Sequence, residues 1–192
     1  MVVGHSYGSH TVRIFASDYP DEVVGIVLID SRLEELTSHP FFAPTRSGQQ
    51  MNVWAILARF GFFRVIGRNM LPAPYQEKMP DYPFEIMITP RFFEMSGLED
   101  DVASDNEVRE TNGFGDTPLI VIVHGVPDPL IFGQLQGADL QEAERLFQEA
   151  QMRLAELSNN SQYLVAEGSG HLVIIERSDL VIDSILSLVE SQ

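Results

Sequence analysis

The sequence predicts an α/β fold in which a parallel β-sheet is covered by helices on both faces. Short, nearly continuous apolar runs recur along the chain, and each is long enough for one strand that is buried on both faces. Segments with helical spacing of apolar residues separate these runs, as parallel strands require. The 192 residues, of which 44% are apolar and 21% charged, are enough for a domain with a sizeable core.

The first strand and the first helix are predicted at the start of the chain. Residues 1–3 form a short apolar run, and the pentapeptide GHSYG at residues 4–8 follows it directly. Beyond the pentapeptide, apolar residues spaced three or four apart predict a half-buried helix: Val12, Phe15, Ala16 and Tyr19. Pro20 is expected to end this helix.

Three further apolar runs predict strands, and each is followed by residues that can carry chemistry. The run at residues 23–29 ends at Asp30, and the run at residues 118–123 leads into His124. The run at residues 163–166 leads into the segment GSGH, whose last residue is His171. Helices are predicted to start at Asp139, before this last run, and near Ser178 or Asp179, after it.

About 85 residues separate Asp30 from the strand at residues 118–123, which is too many for a simple connection. Apolar residues recur at helical spacing in residues 52–67, and residues 82–95 contain further aromatics. We therefore predict a helical insertion at residues 32–113 between the two parts of a core domain, residues 1–31 and 114–192. An insertion this apolar favours a hydrophobic substrate.

The pentapeptide matches the G-x-S-x-G pattern in its expected place between a strand and a helix. A serine projected from a sharp turn needs neighbours without side chains, and Gly4 and Gly8 are predicted to supply this room. With serine first, an acid next and histidine last, the chain resembles the α/β-hydrolase family. The resemblance implies that Ser6 is a nucleophile, that His171 is its general base, and that the backbone N–H of Tyr7 is an oxyanion donor.

The resemblance leaves two candidates for the acid of a Ser-His-Asp triad. Asp128 lies in a G-x-x-D segment after the run at residues 118–123, where the family usually carries its acid. Two prolines flank Asp128, and its distance of 43 positions from His171 in the sequence implies a longer loop than this fold normally has there. Asp30 ends the strand after the nucleophile's helix, a position that some family members use instead. We favour Asp30 and keep Asp128 as the alternative.

The position of the pentapeptide implies that the chain resembles only part of the family's fold. In the family the nucleophile lies near the middle of the chain, whereas here it is residue 6. We therefore expect the C-terminal half of the fold with a helical lid, and a second oxyanion donor from the other half. A first strand of about three residues would leave an exposed sheet edge, which predicts self-association through that edge.

The aromatic residues of the predicted lid are candidates for an acyl or alkyl pocket. The substrate-binding candidates are His5 beside the nucleophile and Trp54, Phe60 and Phe63 in the lid. The alternative for each lid aromatic is that it only packs the lid against the core. Three other histidines lack a catalytic context and are expected to be structural: His10, His39 and His124.

Charge and composition exclude several classes of function. The 12 basic and 28 acidic residues give a net charge of −16, which disfavours binding to nucleic acid and to anionic membranes. Cysteine is absent, which excludes disulfides, thiolate metal sites and a cysteine nucleophile. No carboxylate cluster has metal-ligand spacing, so we expect no metal and no other cofactor. No apolar run is long enough for a membrane span, and the localisation stays open.

The function that these residues predict is hydrolysis of a carboxylic ester of a small hydrophobic substrate through an acyl-enzyme. Hydrolysis of amides, lactones, thioesters and carbon–carbon bonds uses the same triad and stays open. A serine at this position argues against epoxide hydrolase and dehalogenase chemistry, for which the family uses an aspartate. The alternative from another class is a truncated, non-catalytic fragment or binding module that keeps a pocket without turnover.

Overall fold

The computed structural model describes residues 1–42, 48–66, 88–99, 102–133 and 135–190. The chain divides into two compact units, one formed by Met1–Ala43 with Ala103–Gln192 and the other by Pro44–Val102. The second unit is smaller than the insertion predicted at residues 32–113. The reason is that Leu33 and Leu36, which the prediction placed in the insertion, are buried in the core around the sheet.

The first unit contains a four-stranded parallel sheet, which confirms the predicted fold class. Its strands are β1 (Val2–His5), β2 (Ile26–Ile29), β3 (Leu119–His124) and β4 (Ser161–Ala166), and their spatial order is β1-β2-β3-β4. The two central strands, β2 and β3, are buried along their whole length. Because all strands are parallel, their carboxyl ends lie at one edge of the sheet, where ligand sites of such folds form.

Helices cover both faces of the sheet, because neighbouring residues of a strand point to opposite sides. On one face, Ile26 and Leu28 of β2 pack with apolar residues of α1 (Gly8–Asp18) and of α7 (Gly137–Ala155). On the other face, Val27 and Ile29 pack with residues of α9 (Ser178–Glu190). These two layers are the core of the unit.

Short helices complete the described part of this unit. They are a 3₁₀ helix (Pro20–Glu22), α5 (Val102–Arg109), which starts at the boundary between the units, α6 (Pro129–Phe132) and α8 (Val173–Glu176). Helix α7 starts two residues before the predicted start at Asp139, and α9 starts at Ser178 as expected. Strand β1 lies at the edge of the sheet with the Val3 side chain exposed, whereas self-association through this edge stays a prediction.

The second unit is helical in its described part. Helices α2 (Gly48–Arg59), α3 (Phe62–Ile66) and α4 (Pro90–Glu99) share a small apolar cluster formed by Ala55, Ala58, Phe63, Ile88 and Phe93. The Arg59 guanidinium pairs with the Glu94 carboxylate at 2.6 Å. Residues 82–87 of the predicted segment at residues 82–95 lie outside the described residues. Among the helices that are described, none combines the length and the apolar character that crossing a bilayer requires.

Candidate active site

Ser6 lies at the turn between β1 and α1 with a backbone φ of 53°. This left-handed conformation is uncommon for a residue with a side chain and persists only where surrounding contacts enforce it. Here the Ser6 N–H donates to the Ile29 carbonyl at 2.9 Å, and the Ser6 carbonyl accepts from the Arg32 N–H at 3.1 Å. The backbone of β2 and of the loop after it therefore holds the serine in its strained turn.

Only one of the two glycines around Ser6 is required for space. A Cβ atom on Gly4 would lie 2.7 Å from the Gly8 carbonyl oxygen and 2.9 Å from the Ser9 Cα, so the turn and α1 could not pack as they do. A Cβ atom on Gly8 would meet no atom within 4 Å. The prediction that both glycines supply room is therefore wrong for Gly8, because the space that its Cβ would occupy is open.

We expect Gly4→Ala to lower the free energy of unfolding by about 2 kcal/mol, because the added methyl group would force backbone atoms apart. Gly8→Ala is the matched control, and it should leave the unfolding free energy within about 0.5 kcal/mol of the parent protein. Urea denaturation followed by circular dichroism measures both variants. Equal stabilities of the two variants would contradict the packing argument.

His171 contacts both Ser6 and Asp30. Its Nε2 lies 3.0 Å from the Ser6 Oγ, and its Nδ1 lies 2.7 Å from the Asp30 Oδ2. Because an ionised carboxylate only accepts hydrogen bonds, Nδ1–H donates to Asp30 and leaves Nε2 to accept from the serine hydroxyl. The structure thus brings together three residues that are far apart in the sequence.

Asp30 is fully buried at the end of β2, and like Ser6 it has a positive φ, of 41°. Burial by itself would raise the pKa of this carboxyl group, but hydrogen bonds from His124 and His171 lower it to about 2. The group is therefore ionised at neutral pH. Ser6 and Asp30 are the non-glycine residues with positive φ in the described part of the chain. Such backbone strain concentrates at functional sites.

Asp128 lies close to His171 but contacts its backbone. One carboxylate oxygen accepts from the His171 N–H at 2.7 Å, and the other accepts from the Leu130 N–H at 2.7 Å. The second contact also caps α6. Asp128 therefore ties the loop after β3 to the loop that carries His171, while Asp30 contacts the imidazole.

His5 and Tyr7 precede and follow Ser6 in the chain, and they make different contacts. The His5 Nε2–H donates to the His171 carbonyl at 2.8 Å, and the two imidazole rings lie 4.8 Å apart. Burial and the neighbouring His171 lower the pKa of His5, which favours its neutral form. Tyr7 immediately precedes α1, and within the described residues its N–H donates to no backbone carbonyl. The part of this N–H as an oxyanion donor stays a prediction.

His124 is the residue of this site that the sequence analysis missed. It ends β3, next to the strand that ends at Asp30, and its Nδ1 lies 2.8 Å from the Asp30 Oδ1. Its Nε2 lies 3.0 Å from the Glu144 Oε2. The sequence signal that could have identified His124 is its position at the end of a buried apolar run. That run forms the strand next to the strand of the candidate acid.

The three aromatic candidates of the second unit differ in exposure. Trp54 and Phe63 pack against each other and against Phe93, with ring centroids 4.8 to 6.0 Å apart. Phe63 is 3% exposed, whereas Phe60 is 85% exposed. Within this unit, Phe63 and Trp54 belong to the apolar cluster, and Phe60 presents its ring to the outside.

Several solved structures are similar to this chain along nearly its whole length. The chain is similar to a probable hydrolytic enzyme from Pseudomonas aeruginosa, with a TM-score of 0.58, 16% identity, and coverage of 97% of this chain and 62% of that one. It is similar to an epoxide hydrolase from Bacillus megaterium, with a TM-score of 0.57, 14% identity, and coverage of 98% and 68%. The corresponding values for a thermophilic esterase from Thermogutta terrifontis are 0.51, 18%, 98% and 64%.

These likenesses concern the fold, because the identities are low. The chain spans about 62% of the length of the Pseudomonas aeruginosa protein. No curated protein sequence matches it. The model of the alpha/beta hydrolase family matches residues 1–184, which is nearly the whole chain. This chain therefore belongs to the alpha/beta hydrolase family.

Proposed function

We propose that this chain carries the reactive centre of a serine hydrolase that cleaves a carboxylic ester of a small hydrophobic substrate. The observation that carries the proposal is the series of contacts from the Ser6 hydroxyl to the His171 imidazole at 3.0 Å and onward to the buried Asp30 carboxylate at 2.7 Å. Nucleophilic catalysis by serine needs such a base within hydrogen-bond reach, oriented by a third group. Membership of a hydrolase family supports the same chemistry.

In the proposed mechanism, His171 Nε2 accepts the hydroxyl proton as the Ser6 oxygen attacks the ester carbonyl. The Asp30 carboxylate keeps the Nδ1–H tautomer and stabilises the imidazolium that forms. The Tyr7 N–H donates to the oxyanion of the tetrahedral intermediate, and the proton on His171 then passes to the leaving alkoxide. Water attacks the acyl-enzyme by the same route and regenerates the serine.

Asp128 has a supporting part in this proposal. Its two hydrogen bonds fix the backbone of His171 relative to the loop after β3. His5 restrains the same loop through its hydrogen bond to the His171 carbonyl. The base is thus restrained through its backbone as well as through its ring, which suits a group that must meet a nucleophile with sub-ångström accuracy.

A fluorophosphonate probe tests the proposal directly, because it reacts with a serine only when a base has activated it. We expect covalent labelling of the wild-type chain, and mass spectrometry of the tryptic digest should place the adduct on Ser6. Turnover of p-nitrophenyl esters would then identify the acyl class. An adduct on another serine, or no adduct with a folded protein, would contradict the proposal.

The exposed ring of Phe60 and the buried ring of Phe63 make a matched pair for the stability of the second unit. We expect Phe63→Ala to destabilise the second unit by about 3–5 kcal/mol, because it would leave a cavity in the aromatic cluster. Phe60→Ala should change the free energy of unfolding by less than about 0.5 kcal/mol, because its ring is exposed.

Both outcomes can be measured in one set of experiments. Trp54 is the only tryptophan of the chain and packs against Phe63, so its fluorescence during denaturation follows the unfolding of the second unit. Equal losses of stability in Phe60→Ala and Phe63→Ala would contradict the assignment of Phe63, and not Phe60, to the apolar cluster.

A further inference from the structure

The buried Asp30 carboxylate contacts two histidines, and the mechanism above uses only one of them. Its Oδ2 accepts from His171, while its Oδ1 accepts from the His124 Nδ1–H at 2.8 Å and from the His124 backbone N–H at 3.0 Å. The side chains of Asp30 and His124 are both fully buried. The acid of the proposed triad is therefore oriented by three hydrogen bonds, of which two come from His124.

The surroundings of His124 favour a proton on both of its ring nitrogens. Nδ1 faces the Asp30 carboxylate and Nε2 faces the Glu144 carboxylate at 3.0 Å. An ionised carboxylate accepts hydrogen bonds and cannot donate them, so two carboxylates on opposite sides of the ring favour the imidazolium, in which both nitrogens donate. Burial alone would lower the pKa of His124, but the bonds and charges of these two carboxylates raise it to about 9.

Glu144 is itself held in place, which makes the arrangement rigid. The Gln148 amide donates to the Glu144 Oε1 at 2.8 Å and to the His124 carbonyl at 3.2 Å. The Tyr163 hydroxyl donates to the Gln148 Oε1 at 2.7 Å. The His124 ring also packs against Phe132 and Phe147, with centroids 5.8 and 5.0 Å away. Residues of helix α7 and strand β4 thus fix the positions of Glu144 and His124, at the end of the series of contacts that begins at Ser6.

We propose that His124, which bridges Asp30 and Glu144, is a positioning residue for the hydrolysis. It orients the Asp30 carboxylate toward His171 and partly neutralises the negative charge of that carboxylate. This inference rests on the proposed function of Ser6, His171 and Asp30. His124 touches neither substrate nor nucleophile, and it acts through Asp30 alone. Glu144, whose side chain is 21% exposed, adds to the effect of Asp30 in favouring the charged form of His124.

The charges predict opposite effects for two substitutions. His124→Asn keeps an N–H near the position of Nδ1 but removes the positive charge. The Asp30 carboxylate then stabilises the protonated form of the base more strongly, and the acid limb of kcat/KM should move to higher pH by about one unit. Glu144→Gln removes a negative charge, and the acid limb should move to lower pH by a smaller amount.

The first experiment measures kcat and KM from pH 4 to 10 for the wild-type chain and these two variants. Glu142→Gln is the matched control, because Glu142 lies on the same helix, is about half exposed and pairs with Arg145 instead. The control should leave the profile unchanged. We expect KM to stay within about threefold while kcat changes, as for a residue that acts on the chemical step. Acid limbs that coincide in all folded variants would overturn the proposal.

The second experiment needs no turnover and separates this inference from the proposed function. Nuclear magnetic resonance of 15N-labelled histidine should find His124 protonated on both nitrogens at pH 7, with a midpoint of about 9, and Glu144→Gln should lower that midpoint. A neutral His124 at pH 7 would overturn the inference even in an active enzyme. Failure of a fluorophosphonate to label Ser6, with His124 charged as expected, would instead count against the proposed function.

Discussion

Replacing Ser6 by alanine should lower kcat for ester hydrolysis by about six orders of magnitude, the largest effect that we expect from any single substitution. The His171 base would then have no hydroxyl to activate, although the Asp30–His171 contact and the Tyr7 N–H would stay in place. The backbone should persist with φ near 53° at residue 6, because alanine loses only the hydroxyl group and the β2 contacts remain.

The measurement is the rate of p-nitrophenyl ester hydrolysis together with covalent labelling by a fluorophosphonate. Ser161→Ala is the matched control, since Ser161 is exposed at the amino end of β4, at the opposite edge of the sheet. The control should keep both rate and labelling. Undiminished hydrolysis by Ser6→Ala would show that another group attacks the substrate.

Asp30→Asn should lower kcat by about 10⁴-fold, the second large effect. The amide would remove the negative charge that stabilises the imidazolium of His171 during the reaction. Its NH₂ group would also face a ring N–H, either on His171 or on His124, so one of these rings would lose its acceptor or turn to the wrong tautomer. KM should change little, because Asp30 is fully buried.

Asp128→Asn separates the two candidate acids. Asp128 accepts from two backbone N–H groups, and the amide oxygen of asparagine can keep only one of them. We expect a rate loss of about tenfold and a lower melting temperature, because burial of a mismatched amide costs about 1–3 kcal/mol. A loss near 10⁴-fold for Asp128→Asn with a mild effect of Asp30→Asn would assign the acid to Asp128.

The fold class could be predicted from the sequence because its determinants are local. Buried parallel strands require nearly continuous apolar runs, and each predicted run overlaps a strand of the observed sheet. The alternation of runs and helical stretches then requires crossover connections and a parallel sheet. Ser6, Asp30 and His171 could be selected because of the resemblance to the α/β-hydrolase family, and they follow the predicted strands at the edge where such folds place their sites.

The bounds of the elements and of the two units were harder to predict than the fold class. Residues 32–43 read as part of the insertion, yet Leu33 and Leu36 are buried in the core around the sheet. Both glycines of the pentapeptide match the pattern, but only Gly4 meets backbone atoms across the turn. In each case the outcome depends on which distant atoms approach a residue, and a local pattern contains no such distances.

The sequence by itself determined that one serine, one histidine and a choice of two aspartates lie at the carboxyl edge of a parallel sheet. The tertiary structure alone decided that Asp30 faces the His171 ring, that Asp128 holds the His171 backbone, and that His124 completes the contacts of Asp30. The physical reason is that strand order and register bring the ends of β2 and β3 side by side. A carboxylate that is buried there takes whichever N–H donors its neighbours in space supply, however far away they lie in the chain.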